Sequence, residues 1–176
     1  MKIHIRQETA ADYPVVFNLI EEAFRKESIS NKNEQYIVER LRKTDSYIPE
    51  LSLLAEANHG VVGYILLSKI AVETNTSRHV ALALAPIAVL PSFQMKGIGR
   101  KLIEEAHRIA KGLGYQSIIL VGHEEYYPRF GYRPLHHFNI LLPFEAPKKN
   151  CMAIELVANA LKGKESRIIY PKAFFE

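Results

Sequence analysis

The sequence holds a single cysteine, Cys151, so no disulfide can close within the chain, and a reducing, cytoplasmic setting is the simplest expectation. Standing before Met152-Ala153-Ile154, Cys151 reads as a small core residue rather than a nucleophile. No apolar run approaches the ~20 residues that a membrane-spanning helix needs. The opening residues, Met1-Lys2-Ile3-His4-Ile5-Arg6, lack the long apolar stretch of a secretion signal and read as a short strand. Charge of one sign is not in large excess either. The 23 basic and 19 acidic residues leave a net charge of +4, scattered rather than blocked. With no helix-turn-helix or ribonucleoprotein motif, nucleic acid is not the expected partner. Internal repeats and low-complexity segments are absent.

What is present fits one α/β domain. The 176 residues are 48% apolar and 24% charged, enough to build a substantial core without room for a second one. Residues 2–6 alternate as a strand. Asp12-Tyr13-Pro14 then opens a helix with Asp12 as its cap and Pro14 in the first turn, and Val16, Leu19, Ile20, Ala23 and Phe24 recur at helical spacing. After a polar stretch over residues 26–33, Asn31 and Glu34 have capping-box spacing, and Ile37 with Leu41 forms a narrow apolar edge. Residues 51–57 and 61–70 read as two strands joined by a tight hairpin at Asn58-His59-Gly60. Residues 79–89 form the next strand.

Residues 98–113 carry the strongest helical stripe, Ile98, Leu102, Ile103, Ala106, Ile109, Ala110 and Leu113, with Gly112 and Gly114 as its stop. A short strand buried on both faces follows at 117–121. An aromatic turn at 126–132 leads to strands at 138–142 and 152–157. The order implies one mixed sheet flanked by helices, with a core over about residues 2–142 and residues 143–176 as an extension.

The chemistry concentrates between residues 82 and 102. An apolar strand runs through a glycine-bearing loop, Gln94-Met95-Lys96-Gly97-Ile98-Gly99-Arg100, into the start of the best helix. A helix N-terminus leaves backbone N–H groups unpartnered and carries partial positive charge, so it favours a phosphate. Lys96 and Arg100 add full charges there, although such charges also serve as an ordinary solvated helix face. The Rossmann pattern would need glycine where Leu102 stands, and no glycine is followed by the Walker Lys-Ser/Thr pair. A plain strand-to-helix turn could use the same glycines. Pro86 separates the two readings: inside an apolar strand it cannot donate to the ladder, so it marks a bulge or a break in pairing. Free backbone groups then lie beside an anion site, which suits an extended ligand with amides along its body and phosphates at one end.

Gln94-x-x-Gly97-x-Gly99 resembles the Gln/Arg-x-x-Gly-x-Gly/Ala signature of the GNAT N-acetyltransferase superfamily, and Ile87-Ala88-Val89-x-Pro91 is similar to that family's fourth strand. Ser52-Leu53-Leu54-Ala55-Glu56 and Tyr126-Tyr127-Pro128-Arg129-Phe130-Gly131 resemble a bacterial subgroup with a Tyr-Tyr-x-Arg-Phe-Gly turn. The resemblance implies a sheet splayed between its fourth and fifth strands. It implies acetyl-CoA as cosubstrate, with pantetheine along Ile87, Ala88 and Val89 and the pyrophosphate on the amides of Gln94, Met95, Lys96, Gly97, Ile98, Gly99 and Arg100. Implied too are transfer to a small-molecule or protein amine by direct attack in a ternary complex, and homodimerisation. A non-catalytic acyl-CoA sensor is the alternative.

Aminolysis of a thioester needs a neutral amine, a stabilised oxyanion and a protonated thiolate. In many members of that family a tyrosine five residues before the aromatic of a Gly-aromatic pair protonates the thiolate. Tyr127 stands so before Gly131-Tyr132, with Tyr126 expected to point elsewhere. Core packing is the competing use of so many aromatics. The family's asparagine before this tyrosine is missing, with Val121-Gly122-His123 in its region. The fourth strand has no carboxylate, so either the amine binds in its neutral form or a substitute base comes from Glu22, Glu73, His79, His123 or Glu125, of which His123 is the best placed. The backbone N–H of Val89 is the candidate oxyanion donor. Acceptor selection is expected from residues 26–33, 45–50 and those after Tyr132.

Overall fold

The computed structural model describes every residue except His59 and Lys164, so the expected turn at Asn58-His59-Gly60 lies partly outside the described residues. Nine strands form one mixed sheet among these residues. β1 (His4–Gln7), β2 (Tyr47–Ala57), β3 (Gly60–Glu73) and β4 (Arg78–Val89) run antiparallel in that order. β5 (Ser117–Val121) joins β4 in parallel. β6 (Arg133–Pro134) and β8 (Cys151–Glu155) complete that side, with β8 between β5 and β6. β7 (Ile140–Leu141) pairs with β9 (Ser166–Ile169), and β9 takes the edge of β3 beyond the point where β2 ends.

Period-two alternation sorts the side chains of β2 and β3 onto two faces. Leu53, Ala55, Ile65 and Leu67 meet the stripe of α3 (Ile98–Gly112), while Leu54, Tyr64 and Leu66 meet α1 (Tyr13–Phe24) and α2 (Glu34–Leu41). Ile98, Leu102, Ile103, Ala106 and Ala110 are buried as the stripe predicts. Leu113 is exposed, because the helix ends at Gly112 and Gly114 turns the chain away with φ +88°.

Several local expectations are corrected. Asp12 precedes α1 but does not cap it with its side chain: its carboxylate turns back to Arg6 (2.8 Å) and to the Thr9 N–H (2.8 Å), a stronger charge-assisted pairing. Asn33 rather than Asn31 precedes α2, and Val38 with Leu41 forms its buried apolar edge, Ile37 being only half-buried. The strand expected over residues 138–142 shrinks to β7, since a 3-10 turn occupies Leu135–Phe138 and Asn139 adopts φ +53°. Residues 143–176 add β8 and β9 to the same sheet. Cys151 is buried, its thiol reaching the Pro147 carbonyl at 3.4 Å.

The motif Ser52-Leu53-Leu54-Ala55-Glu56 gains a physical reason. Ser52 Oγ donates to the Glu8 carboxylate at 2.6 Å and lies 2.8 Å from the Tyr64 hydroxyl, while Glu56 accepts from Arg6 Nε at 2.9 Å. The two polar residues therefore tie β2 to the segment around β1 from inside and outside.

His107, on α3, meets the Tyr132 hydroxyl at 2.9 Å, and burial pushes its pKa down to about 4 against the opposing pull of Glu104. The folded state therefore resists a proton that the unfolded chain takes up near pH 6.5. Stability is full above that value and falls as pH drops from 6.5 towards 4, by up to about 3 kcal/mol. Urea unfolding across that interval checks it: His107→Gln is expected to remove this part of the slope.

Candidate active site

The cleft is a consequence of one extra residue in β4. The β3–β4 register runs Ile65↔Ile87 but Leu67↔Leu84, so two steps on β3 face three on β4, and the bulge falls at Ala85-Pro86. The insertion reverses which face each side chain takes. Before it Leu82 and Leu84 pack on the α3 side; after it Ile87 and Val89 do, while Ala88 enters the opposite core. Pairing between β4 and β5 extends only over Leu82↔Ile118 and Ala83↔Ile119. Beyond Ala83 the two strands part. Val121 at the end of β5 is exposed for that reason, against the expectation of a strand buried throughout.

The ladder decides which backbone groups face the opening. The Leu90 N–H donates to the Val62 carbonyl at 3.0 Å, so by antiparallel alternation Ala88 also turns its groups to β3, whereas Ile87 and Val89 turn theirs away. Of the three residues singled out here, two offer free backbone and Ala88 does not. The Gln94 side-chain amide reaches the outward Val89 carbonyl at 3.2 Å and closes the loop onto the strand.

The opening leads to the start of α3. The first helical bond runs from the Lys101 N–H to the Gly97 carbonyl (3.1 Å), so the N–H groups of Ile98, Gly99 and Arg100 stand ahead of the helical ladder. Met95 (φ 60°) and Gly97 (φ 77°) take left-handed backbone that turns the loop into the helix. Gly97 has open space beside it. Gly99 is different: a Cβ there would lie 2.8 Å from the Tyr126 hydroxyl. Tyr126 therefore leans over the helix start instead of pointing elsewhere. Lys96 folds back to the Ser92 carbonyl at 2.9 Å, and Arg100 pairs with Glu104 at 2.7 Å, so neither charge is held ready in the loop.

The whole cleft has a volume of about 950 Å³. It is lined by Leu84 to Val89, the Gln94 to Arg100 loop without Lys96, and Tyr126, Tyr127 and Phe130, together with Phe24, Glu27, Ile29, Ser30 and Glu34 from the end of α1 to the start of α2. Tyr127 is buried between Tyr126 (5.2 Å between ring centres) and Tyr132 (5.7 Å). Burial raises its pKa well above the ordinary tyrosine value, with Tyr126 and Glu27 adding to the effect, so it keeps its proton throughout the neutral range.

His123 Nε2 meets Glu27 Oε2 at 3.1 Å, bridging the end of β5 to the end of α1. Burial would raise the Glu27 carboxyl, but the His123 hydrogen bond and the Ile29 and Ser28 N–H groups outweigh it and hold it low. The His123 side chain is 59% exposed, so solvent can carry a proton away from it. Glu22, Glu73, His79 and Glu125 do not line the cleft; Glu73 is spent on Arg78 and Arg167. Residues 26–33 contribute to the cleft as expected, whereas residues 45–50 and those after Tyr132 contribute nothing to it. Glu27 had no signal in the sequence, since its partner lies 96 residues away.

A bulged strand that parts from its parallel neighbour and leads to a helix start is the arrangement implied by the resemblance to the GNAT superfamily. The family described as "Acetyltransferase (GNAT) domain" matches residues 49–134. A protein of Escherichia coli K12 named as the uncharacterized N-acetyltransferase YjhQ is 35% identical over 101 residues, which is 57% of this chain and 56% of that one. The uncharacterized N-acetyltransferase YhbS of the same strain is 26% identical over 97% of both chains. Its crystal structure in complex with CoA superposes with TM-score 0.87 at 24% identity, covering 100% of this chain and 93% of that one, which speaks for the fold. A GNAT acetyltransferase of Brucella melitensis in complex with acetyl-CoA has TM-score 0.80 and 29% identity over 98% of both chains. These similarities, over residues 49–134 for the family and over 97% of the chain for YhbS, point to the GNAT acetyltransferases.

Proposed function

We propose that the protein moves the acetyl group of acetyl-CoA to a primary amine, of a small molecule or a protein, by direct attack within a ternary complex. The observation that carries this reading is the pair of outward backbone positions, Ile87 and Val89, running straight to the free N–H groups of Ile98, Gly99 and Arg100. Pantetheine amides suit the first, and a pyrophosphate suits the second. The relatives bound to CoA and acetyl-CoA support the same choice of cosubstrate.

The chain's own groups then divide the chemistry. His123, steadied by Glu27, takes the proton that the attacking nitrogen loses as the C–N bond forms. The Val89 N–H faces the oxyanion. As the C–S bond breaks, the Tyr127 hydroxyl gives its proton to the departing thiolate and recovers one from solvent. The residues between α1 and α2 face the acceptor.

Gly97→Asp tests the cosubstrate assignment. A carboxylate a few ångströms from a phosphate costs up to about 4 kcal/mol at an effective dielectric of 20, and solvent at the cleft mouth reduces this. Calorimetry is expected to show acetyl-CoA binding weakened by about a hundredfold in a folded variant. Unchanged affinity would remove the loop from the site. Thiol release from acetyl-CoA across a panel of primary amines tests the catalysis; binding without release with any amine would indicate a sensor.

A further inference from the structure

We propose that Gly122, anchored by the buried side chain of Asn150, is the positioning residue that seats the Tyr127 hydroxyl in the cleft. This rests on the reading of Tyr127 as the acid. A Cβ on Gly122 would lie 2.4 Å from Tyr127 Cε2 and 3.2 Å from both Cδ2 and Cζ. No real side chain tolerates that approach. Gly122 is not among the residues with positive φ, so its backbone would accept alanine. The ring alone demands glycine there. The rings of Tyr126 and Tyr132 pack edge-on against it, so a Cβ at Gly122 would push the ring, and its hydroxyl, out of its present seat.

The floor under the ring is itself fastened. The β5–β8 register ends at Val121↔Cys151, and β4 has already parted from β5, so Gly122 would otherwise be a frayed strand end. Its N–H donates to the Asn150 carbonyl at 2.8 Å, and Asn150 Nδ2 donates back to the Gly122 carbonyl at 2.9 Å. Asn150 is buried, and its own N–H is held by the Pro147 carbonyl at 2.9 Å. An asparagine side chain thus extends the ladder one residue past its backbone end, at the point where the tyrosine needs a fixed support. It does so from the 3-10 turn over Lys148–Asn150 that leads into β8.

The test uses the full chain with Cζ-labelled tyrosine, the Tyr127 carbon-13 resonance being identified by its loss in Tyr127→Phe. Gly122→Ala is expected to shift that resonance, keep acetyl-CoA affinity within about threefold, and lower kcat at least tenfold with the best amine of the panel. In a Tyr127→Phe background the same change should lower kcat no further, because the hydroxyl it displaces is gone. Asn150→Ala is the second variant, needed if Gly122→Ala does not fold, and should move resonance and kcat in the same direction by less. The proposal is overturned if the kcat of Gly122→Ala stays near wild type while Tyr127→Phe is impaired. Additive losses in the double variant would overturn it too. An unimpaired Tyr127→Phe would instead overturn the acid assignment, and the positioning role with it.

Discussion

Tyr127→Phe is expected to lower kcat by about 10²–10⁴-fold, the usual contribution of a positioned general acid. The substitution removes one oxygen and keeps the ring, whose edge contacts with Tyr126 and Tyr132 hold the turn together. Stability and acetyl-CoA affinity should therefore change little. Pre-steady-state thiol release with a good amine is the measurement, since it isolates chemistry from product release. Tyr126→Phe is an informative neighbour rather than a silent one. Its hydroxyl sits beside Gly99 at the helix start, so its loss should be read in cosubstrate affinity more than in kcat. If Tyr127→Phe retains wild-type kcat with chemistry limiting, Tyr127 is a packing residue and the acid is water or another side chain.

Arg42→Ala is expected to destabilise the protein by about 3–5 kcal/mol, the cost of leaving a buried charge without its partner. Arg42 and Glu8 form an ion pair with side chains only 6% and 0% exposed. Tyr47 and Ser52 both donate to Glu8 Oε2, at 3.0 and 2.6 Å, and the guanidinium lies 3.9 Å from the Tyr13 ring centre. Deleting Arg42 strands a carboxylate already committed to two hydroxyls. Urea unfolding gives the value. The double variant Arg42→Met/Glu8→Leu should recover much of the loss, because an apolar pair removes the orphaned charge. Equal losses in the single and double variants would mean that packing, not charge, makes the network necessary.

How far the sequence could be read depended on whether a signal was local. A short apolar run places β5 at its full length and a helical repeat places α3 to within a residue, because each element carries its own buried surface. Pro86 announced the broken pairing because a missing N–H is a property of one residue. Caps were legible only as spacing: Asp12 has the right place, yet Arg6 from β1 takes its carboxylate. Short pieces such as β7 hold too few residues for a period and depend on pairing with β9, whose partner strand lies elsewhere in the chain.

The sequence alone determined that an apolar, proline-broken strand leads through Gln94, Gly97 and Gly99 into an amphipathic helix, and from that came the expectation of a phosphate-bearing ligand. Tertiary structure decided the rest of the site. It chose Ile87 and Val89 over Ala88 as the outward backbone, because a bulge reverses strand phase and only the register reveals where it falls. It brought Glu27 to His123, and Asn150 to Gly122, across separations of 96 and 28 residues. Neither pairing leaves a trace in spacing, since strand order and the splay of β4 from β5 set those distances and a linear pattern carries neither.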